Sequence, residues 1–186
     1  MRRLLSILLG LTLIVLLLTS PALPALRTNA ALTRTSTRIT GGPSISLSTV
    51  RRIVAGSPLA PYAGTIYRLG QARGIDPAFA LAIWTHESSL GRTGASRRNH
   101  NPGNLICGAA ARSAATRCAG RWAYYPNLVV AIADWYRYIS ARYVARGRTT
   151  VESILVVYAP RFENNTGAYI AQCKRLMQQW RSGRVR

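Results

Sequence analysis

The chain has 186 residues, a hydrophobic share of 48% and a formal net charge of +20, because 25 Lys and Arg face only five Asp and Glu. The length and composition predict one globular domain with its own core. A surface this basic favours polyanions such as nucleic acid, anionic lipid or an acidic wall polymer. Two histidines, and no metal-ligand spacing among the three cysteines, argue against a zinc centre.

The first 22 residues predict export through a signal peptide or a membrane anchor. A short basic start is followed by an apolar run over residues 4–18 and by small residues at 20–22. A run of about 15 residues suits a signal peptide, because a full membrane span needs about 20; an uncleaved anchor is the alternative. Residues 23–56, basic and rich in Ser and Thr, are predicted to form a linker. The rest of the chain is expected to be extracellular or associated with the cell wall.

Residues 57–182 are predicted to form a mainly α-helical (α+β) domain. Ser57 and Asp76 each precede a proline, which is the pattern of a helix N-cap with Pro in the first turn. The first of these helices is expected to reach Gly74. The second is apolar on every side over residues 78–84, as expected of a helix buried in the core. Start signals predict three further helices, after Asn127, from a capping box at residues 149–152, and after Thr166.

The cysteines predict one disulfide bond. Cys107 and Cys118 enclose ten small or polar residues, a spacing that favours a disulfide-closed loop in an exported protein. Segments 105–107 and 121–125 are predicted to pair as a short β-hairpin clamped by that bond. Cys173 falls on an apolar helical stripe and is expected to be a buried free thiol.

Glu87 is the leading candidate for a functional carboxyl. Phe79, Ile83 and Glu87 are four residues apart and share one helix face. A carboxyl at the end of an apolar stripe loses hydration, which raises its pKa and suits a general acid in glycoside cleavage. The alternative is an exposed helix end or a salt bridge with one of the many arginines. The neighbouring His86 points about 100° away and is expected to pack rather than to act in catalysis, and His100 is expected to be solvated in a polar loop.

Four motifs, in order, are similar to those of one enzyme family. Residues 80–91, Ala-Leu-Ala-Ile-Trp-Thr-His-Glu-Ser-Ser-Leu-Gly, resemble the helix and Glu-Ser element of bacterial peptidoglycan endo-β-N-acetylglucosaminidases. Residues 101–105 resemble the Asn-Leu element of that family, and residues 122–126 its aromatic strand. Residues 158–170 resemble its closing Tyr-Ala element and final helix. The resemblance covers about residues 58–181 and implies a lysozyme-like fold with a small β-hairpin lobe.

The same resemblance implies roles for individual residues. Glu87 matches the general acid, and Tyr158 matches the active-site tyrosine that steadies the reacting sugar or its developing charge. Asn104, Trp122 and Tyr125 match residues that line the substrate groove. For the two hairpin aromatics, cross-strand packing is the alternative to sugar stacking. No cofactor is implied.

One departure from the family limits the mechanism. No Asp or Glu lies between Ser88 and Ala133, where the family places a second carboxylate, and both Asp134 and Glu163 are expected to be structural. The sequence therefore favours a substrate-assisted hydrolase, in which the 2-acetamido group of the sugar attacks the anomeric carbon.

Two alternatives remain open at the level of sequence. The first is a lytic transglycosylase that forms 1,6-anhydro ends, although the Gly-Leu-Met-Gln run typical of that family is missing here. The second is a wall-binding module without catalysis. The expected partners are peptidoglycan glycan strands and an anionic wall or membrane surface. Nucleic acid is not expected, because its binding motifs are absent from an exported chain.

Overall fold

The computed structural model describes residues 36–108 and 114–185, and this part of the chain is mainly helical, as predicted. A two-stranded antiparallel sheet accompanies the helices. The strands are β1 (Arg117–Ala119) and β2 (Trp122–Tyr124), and short 3-10 helices cover Ala60–Tyr62 and Val144–Arg146. The α-helices of the described residues are α1 (Leu47–Val54), α2 (Ala63–Ala72), α3 (Pro77–Ser88), α4 (Gly94–Asn99), α5 (Leu128–Arg142), α6 (Val151–Tyr158) and α7 (Thr166–Arg181).

Helix α3 forms the centre of the core. Its start is as predicted: the Asp76 side chain accepts the backbone N–H of Ala78 at 3.0 Å, and Pro77 occupies the first turn. Every residue from 77 to 84 is buried, as an all-apolar helix requires. The helix packs most extensively on α7 and ends at Ser89, whose φ of 49° is left-handed.

The other predicted helix starts are confirmed with two shifts. Asn127 and Asn165 accept backbone N–H groups as N-caps of α5 and α7. The capping box of α6 lies one residue later than predicted and joins Thr150 to Ser153, while Glu152 forms a salt bridge with Lys174 at 2.8 Å. The helix predicted after Ser57 begins as a 3-10 turn, and α-helical geometry starts only at Ala63.

The predicted linker over residues 23–56 is wrong for residues 36–56, which belong to the folded domain. Ile39 is 0% exposed, and the backbone bridges Arg38 to Thr150 and Thr40 to Ile75. Helix α1 buries Val50, Ile53 and Val54 on one face. Their i, i+3, i+4 spacing is a helix signal, but it is interleaved with two arginines in a segment whose composition suggests disorder.

A buried ion pair fixes this N-terminal segment to the helices. Asp76 Oδ2 and Arg181 Nη2 lie 2.7 Å apart, and both side chains are at most 3% exposed. Arg181 also donates to Ser44 Oγ at 2.7 Å and to the carbonyl of Ser36. Because the buried charges are paired and hydrogen-bonded, removal of either partner is expected to be strongly destabilising.

Two of the sequence predictions concern residues outside this range. The predicted signal peptide or anchor (residues 1–22) and the first part of the predicted linker (residues 23–35) lie outside the described residues. In the described part of the chain, no helix combines the length and apolar character needed to cross a bilayer.

The hairpin lobe contains the predicted disulfide and one unpredicted strand. β2 pairs with β1 on one edge, while on its other edge Ile106 bridges Trp122, which is the pairing predicted from sequence. Cys107 and Cys118 form a disulfide bond with Cα atoms 5.6 Å apart, so it fastens the two edges together. Cys173 is a buried free thiol, as predicted.

Candidate active site

The end of helix α3 is joined to the loop that follows α4. Ser88 donates from its hydroxyl to the carbonyl of Pro102 at 2.8 Å. Asn101 spans the loop, since its amide donates to the carbonyls of Leu105 and Ala123 at 2.9 and 3.0 Å. Gly103 leaves no room for a side chain, because a Cβ there would lie 2.4 Å from Trp135 Cδ1. The loop is therefore pressed onto the core beside the last turn of α3.

Glu87 lies in that last turn and is held from two sides. Tyr169 of α7 donates its hydroxyl proton to Oε1 at 2.7 Å. Asn104 donates from Nδ2 to Oε2 at 3.1 Å and to the Glu87 backbone carbonyl at 2.9 Å. Asn104 itself has a left-handed φ of 47°, which asparagine tolerates better than most residues. Both carboxyl oxygens thus have fixed directions.

Partial burial raises the pKa of Glu87 above its ordinary value, and the hydrogen bonds from Tyr169 and Asn104 offset only part of this effect. Among the described residues Glu87 forms no salt bridge. The other four acids all do, in the pairs Asp76–Arg181, Asp134–Arg137, Glu152–Lys174 and Glu163–Arg121. A half-buried carboxyl that has no cation partner within residues 36–108 and 114–185 is the arrangement that a proton donor needs.

Tyr158 stands beside this carboxyl. Its hydroxyl donates to the carbonyl of Gly103 and accepts from Trp135 Nε1 at 3.4 Å. Burial, and then the charge of Glu87, raise the pKa of Tyr158 well above its ordinary value. The phenol therefore keeps its proton across the physiological pH range.

Glu87 and Tyr158 open into a cavity of about 470 Å³, within the range of small-ligand sites. It brings together four of the five predicted site residues, Glu87, Tyr158, Asn104 and Trp122. Its other lining residues are Leu105, Ile106, Arg121, Tyr138, Ala159, Glu163 and Asn164.

Tyr125 does not line this cavity, so its predicted contact with substrate is wrong. It is 0% exposed, and its hydroxyl donates to Asp134 Oδ2 at 2.8 Å. Side chains alternate between the two faces of an extended strand, so residues three apart point to opposite sides. Trp122 faces the cavity, and Tyr125 consequently faces the core.

The histidines are both involved in packing. His86 stacks on Tyr169 with ring centroids 3.6 Å apart, and its Nδ1 lies 2.6 Å from Gln172 Oε1, which confirms its predicted packing role. His100 was expected to be solvated, but it is half-buried with Nδ1 3.0 Å from the carbonyl of Tyr125. The loop that carries His100 is folded against the hairpin.

Sequence reasoning missed Tyr169, Arg121 and Glu163 as site residues. Tyr169 belongs to the apolar stripe of α7, and nothing in that pattern distinguishes it from a core residue. Glu163 was assigned to a structural turn. The described residues hold no cluster of three His, Cys, Asp or Glu side chains that could bind a metal ion.

A scan against models of known protein families matches none of them, and no curated protein sequence matches the chain significantly. The resemblance to the glucosaminidases therefore rests on the four sequence motifs and stays a prediction. The cavity lining indicates the chemistry of the site: the carboxyl of Glu87, whose pKa is raised, lies among aromatic and amide side chains.

Proposed function

We propose that the protein is a glycoside hydrolase that cleaves the β-1,4 glycan backbone of peptidoglycan next to N-acetylglucosamine, on a lysozyme-like helical fold. The observation that carries the proposal is Glu87: half-buried, without a salt bridge among the described residues, with a raised pKa, and open to a 470 Å³ cavity. A raised pKa favours the protonated form of the carboxyl, which can give its proton to a leaving glycosidic oxygen.

The neighbouring groups suit the same reaction. Tyr169 fixes Oε1, so the acidic proton is best carried on Oε2, the oxygen that contacts the cavity residue Asn104. Trp122 and Tyr158 line the cavity and supply aromatic rings suited to contact with a sugar. The nucleophile is the acetamido oxygen of the substrate itself, which closes on the anomeric carbon as the glycosidic bond breaks.

Digestion of purified peptidoglycan by the full-length chain, followed by mass analysis, tests this proposal. Reducing N-acetylglucosamine ends are expected, and Glu87→Gln is expected to lower the rate by at least about 100-fold. Glu152→Gln, which removes an exposed acid paired with Lys174 outside the cavity, serves as the control.

Other products identify the alternatives. Ends in the 1,6-anhydro-muramyl form contradict the hydrolase and identify a lytic transglycosylase that uses Glu87 as acid and then as base. Release of no product, with equal wall binding by the wild type and Glu87→Gln, identifies a binding module without catalysis.

We also propose that the exported protein associates with the wall through its charge. A net charge of +20 concentrates the protein on an anionic polymer, and salt screens this attraction over a Debye length of about 10 Å at 0.1 M. Sedimentation with purified sacculi is expected to weaken steeply between low and high salt. Binding that does not change with salt contradicts the charge-driven contact.

A further inference from the structure

The loop between α6 and α7 brings a second carboxyl, Glu163, to the cavity that holds Glu87. Its backbone N–H donates to the carbonyl of Pro160 at 3.0 Å, which closes a tight turn. The side chains of Glu163 and the adjacent Asn164 both line the cavity. The loop is thus a wall of the site as well as a connection between helices.

From this position we infer that Glu163 is a second catalytic carboxylate, which accepts a hydrogen bond from the N–H of the substrate's 2-acetamido group while that group acts as nucleophile. The inference rests on the proposed hydrolase function. It assigns to Glu163 the stabilisation of the acetamido N–H, which the substrate cannot provide for itself.

The remaining acids are unavailable for this task. Asp76 and Asp134 are buried, and both oxygens of each accept hydrogen bonds from protein groups. Glu152 is paired with Lys174 and does not line the cavity. All five acids of the chain are described, so Glu87 and Glu163 are its two cavity carboxyls.

The single ion pair of Glu163 leaves half of its carboxylate free. Arg121, at the hairpin turn, approaches Oε2 with Nη2 at 3.4 Å, and Oε1 accepts no hydrogen bond within the described part of the chain. Both side chains are about half exposed, at 53% and 45%, and ion pairs this exposed contribute little to stability. Because both partners line the cavity and the pair is weak, Glu163 can engage a ligand there.

The chemistry explains why a carboxylate is needed there. The acetamido carbonyl oxygen bonds to the anomeric carbon, the glycosidic bond breaks, and the leaving oxygen takes the proton of Glu87. The resulting oxazolinium ring carries positive charge at N–H, and a carboxylate next to that group stabilises it. Water then attacks the anomeric carbon and loses its proton to Glu87, which regenerates the acetamido group and leaves a product with retained β configuration.

The test combines product stereochemistry with an analogue of the ring intermediate. Proton NMR of freshly cleaved soluble glycan oligomers, recorded before mutarotation, is expected to show the β-anomer first. Glu163→Gln is expected to lower kcat, and to weaken binding of an N-acetylglucosamine-derived thiazoline, by about 10- to 100-fold each, the loss expected for one charge-assisted hydrogen bond.

Two controls separate the carboxylate from the ion pair. Arg121→Gln breaks the same pair but keeps the carboxylate, so it is expected to weaken thiazoline binding far less than Glu163→Gln does. Glu152→Gln breaks an exposed pair elsewhere and is expected to match the wild type.

Two results overturn the inference while leaving the proposed hydrolase intact: a Glu163→Gln variant that behaves like Glu152→Gln, and an Arg121→Gln variant as defective as Glu163→Gln. An α-anomer as first product overturns the inference together with the acetamido nucleophile, but not the hydrolysis itself. A wild-type chain that cleaves nothing overturns the proposed function itself.

Discussion

Tyr169 donates a hydrogen bond of 2.7 Å to Oε1 of Glu87 from a helix 82 residues further along the chain. Tyr169 is almost fully buried and is covered by the stacked ring of His86. The bond therefore joins a core side chain to the half-buried carboxyl, and it acts on both the direction and the proton affinity of that carboxyl.

Tyr169→Phe is expected to move the alkaline limb of the pH–activity profile to higher pH. The Tyr169 hydrogen bond favours the ionised carboxylate and so lowers the pKa of Glu87; its loss raises that pKa further, and a general acid works only while protonated. We expect kcat to fall about tenfold as the carboxyl loses its fixed direction.

Tyr136→Phe is the matched control for this prediction. Tyr136 is equally buried, but its hydroxyl donates to the carbonyl of Ile66, and its ring does not line the cavity. It is expected to lose stability without any shift of the profile. An unshifted profile for Tyr169→Phe contradicts the role of this bond.

Glu87→Gln is expected to raise the Tm above that of the wild type by more at pH 7 than at pH 4. Burial raises the pKa of Glu87 above its ordinary value of 4.5, so the associated stabilisation is complete below that value and is lost as the pH rises through the folded pKa. The glutamine removes this loss. Each kcal/mol regained moves the Tm by about 2–4 °C, which calorimetry at both pH values measures.

Glu152→Gln should show the opposite trend. Partial burial raises the pKa of Glu152, but the hydrogen bonds it accepts, first that of Lys174, lower it overall. Its contribution to stability is present above the unfolded pKa and is lost as the pH falls. Equal pH trends in the two variants contradict the prediction for Glu87.

Ile39→Ala is expected to destabilise the domain by about 2–4 kcal/mol, because it leaves a cavity in the core. Arg51→Ala, on the exposed side of α1, is expected to change the free energy of unfolding by less than about 0.5 kcal/mol. Chemical denaturation of both variants measures the difference. Equal stability of the two restores the linker interpretation of this segment.

Tyr125→Phe is expected to reduce stability by about 1–3 kcal/mol without changing KM, because it removes a hydrogen bond from the buried carboxylate of Asp134. Trp122→Ala is expected to leave stability nearly unchanged and to raise KM by up to about tenfold, which corresponds to the loss of one aromatic contact with the substrate. Steady-state kinetics and denaturation of both variants separate the two sides of the extended segment 122–125. A raised KM for Tyr125→Phe contradicts the assignment of that ring to the core.

Several elements follow from local signals alone. The Asp76–Pro77 start of α3 and the N-caps Asn127 and Asn165 depend on side chains within three residues of the groups they satisfy, so they are visible in sequence. The disulfide between Cys107 and Cys118 is similarly constrained by a short loop. The capping box of α6 shifted by one residue because two adjacent threonines offered alternative registers.

The site was only partly predictable. Glu87 was found because acids are rare in this chain and because it ends an apolar stripe. Tyr125 was misplaced because the resemblance was transferred without the alternating burial of residues 122–125, which puts Tyr125 and Trp122 on opposite sides. Residues 36–56 were misassigned because their composition was weighed above the spacing of Val50, Ile53 and Val54.

The helical class, the capped helix starts, the disulfide and the candidacy of Glu87 can all be predicted from local sequence patterns, because each depends on neighbours along the chain. Three relations became visible only in the folded chain: Tyr169 donates to Glu87, Glu163 shares the cavity with Glu87, and Ile39 is part of the core. These relations depend on how α3 packs against α7 and on which distant residues the loops contact. Such long-range packing produces no periodic pattern in a single sequence.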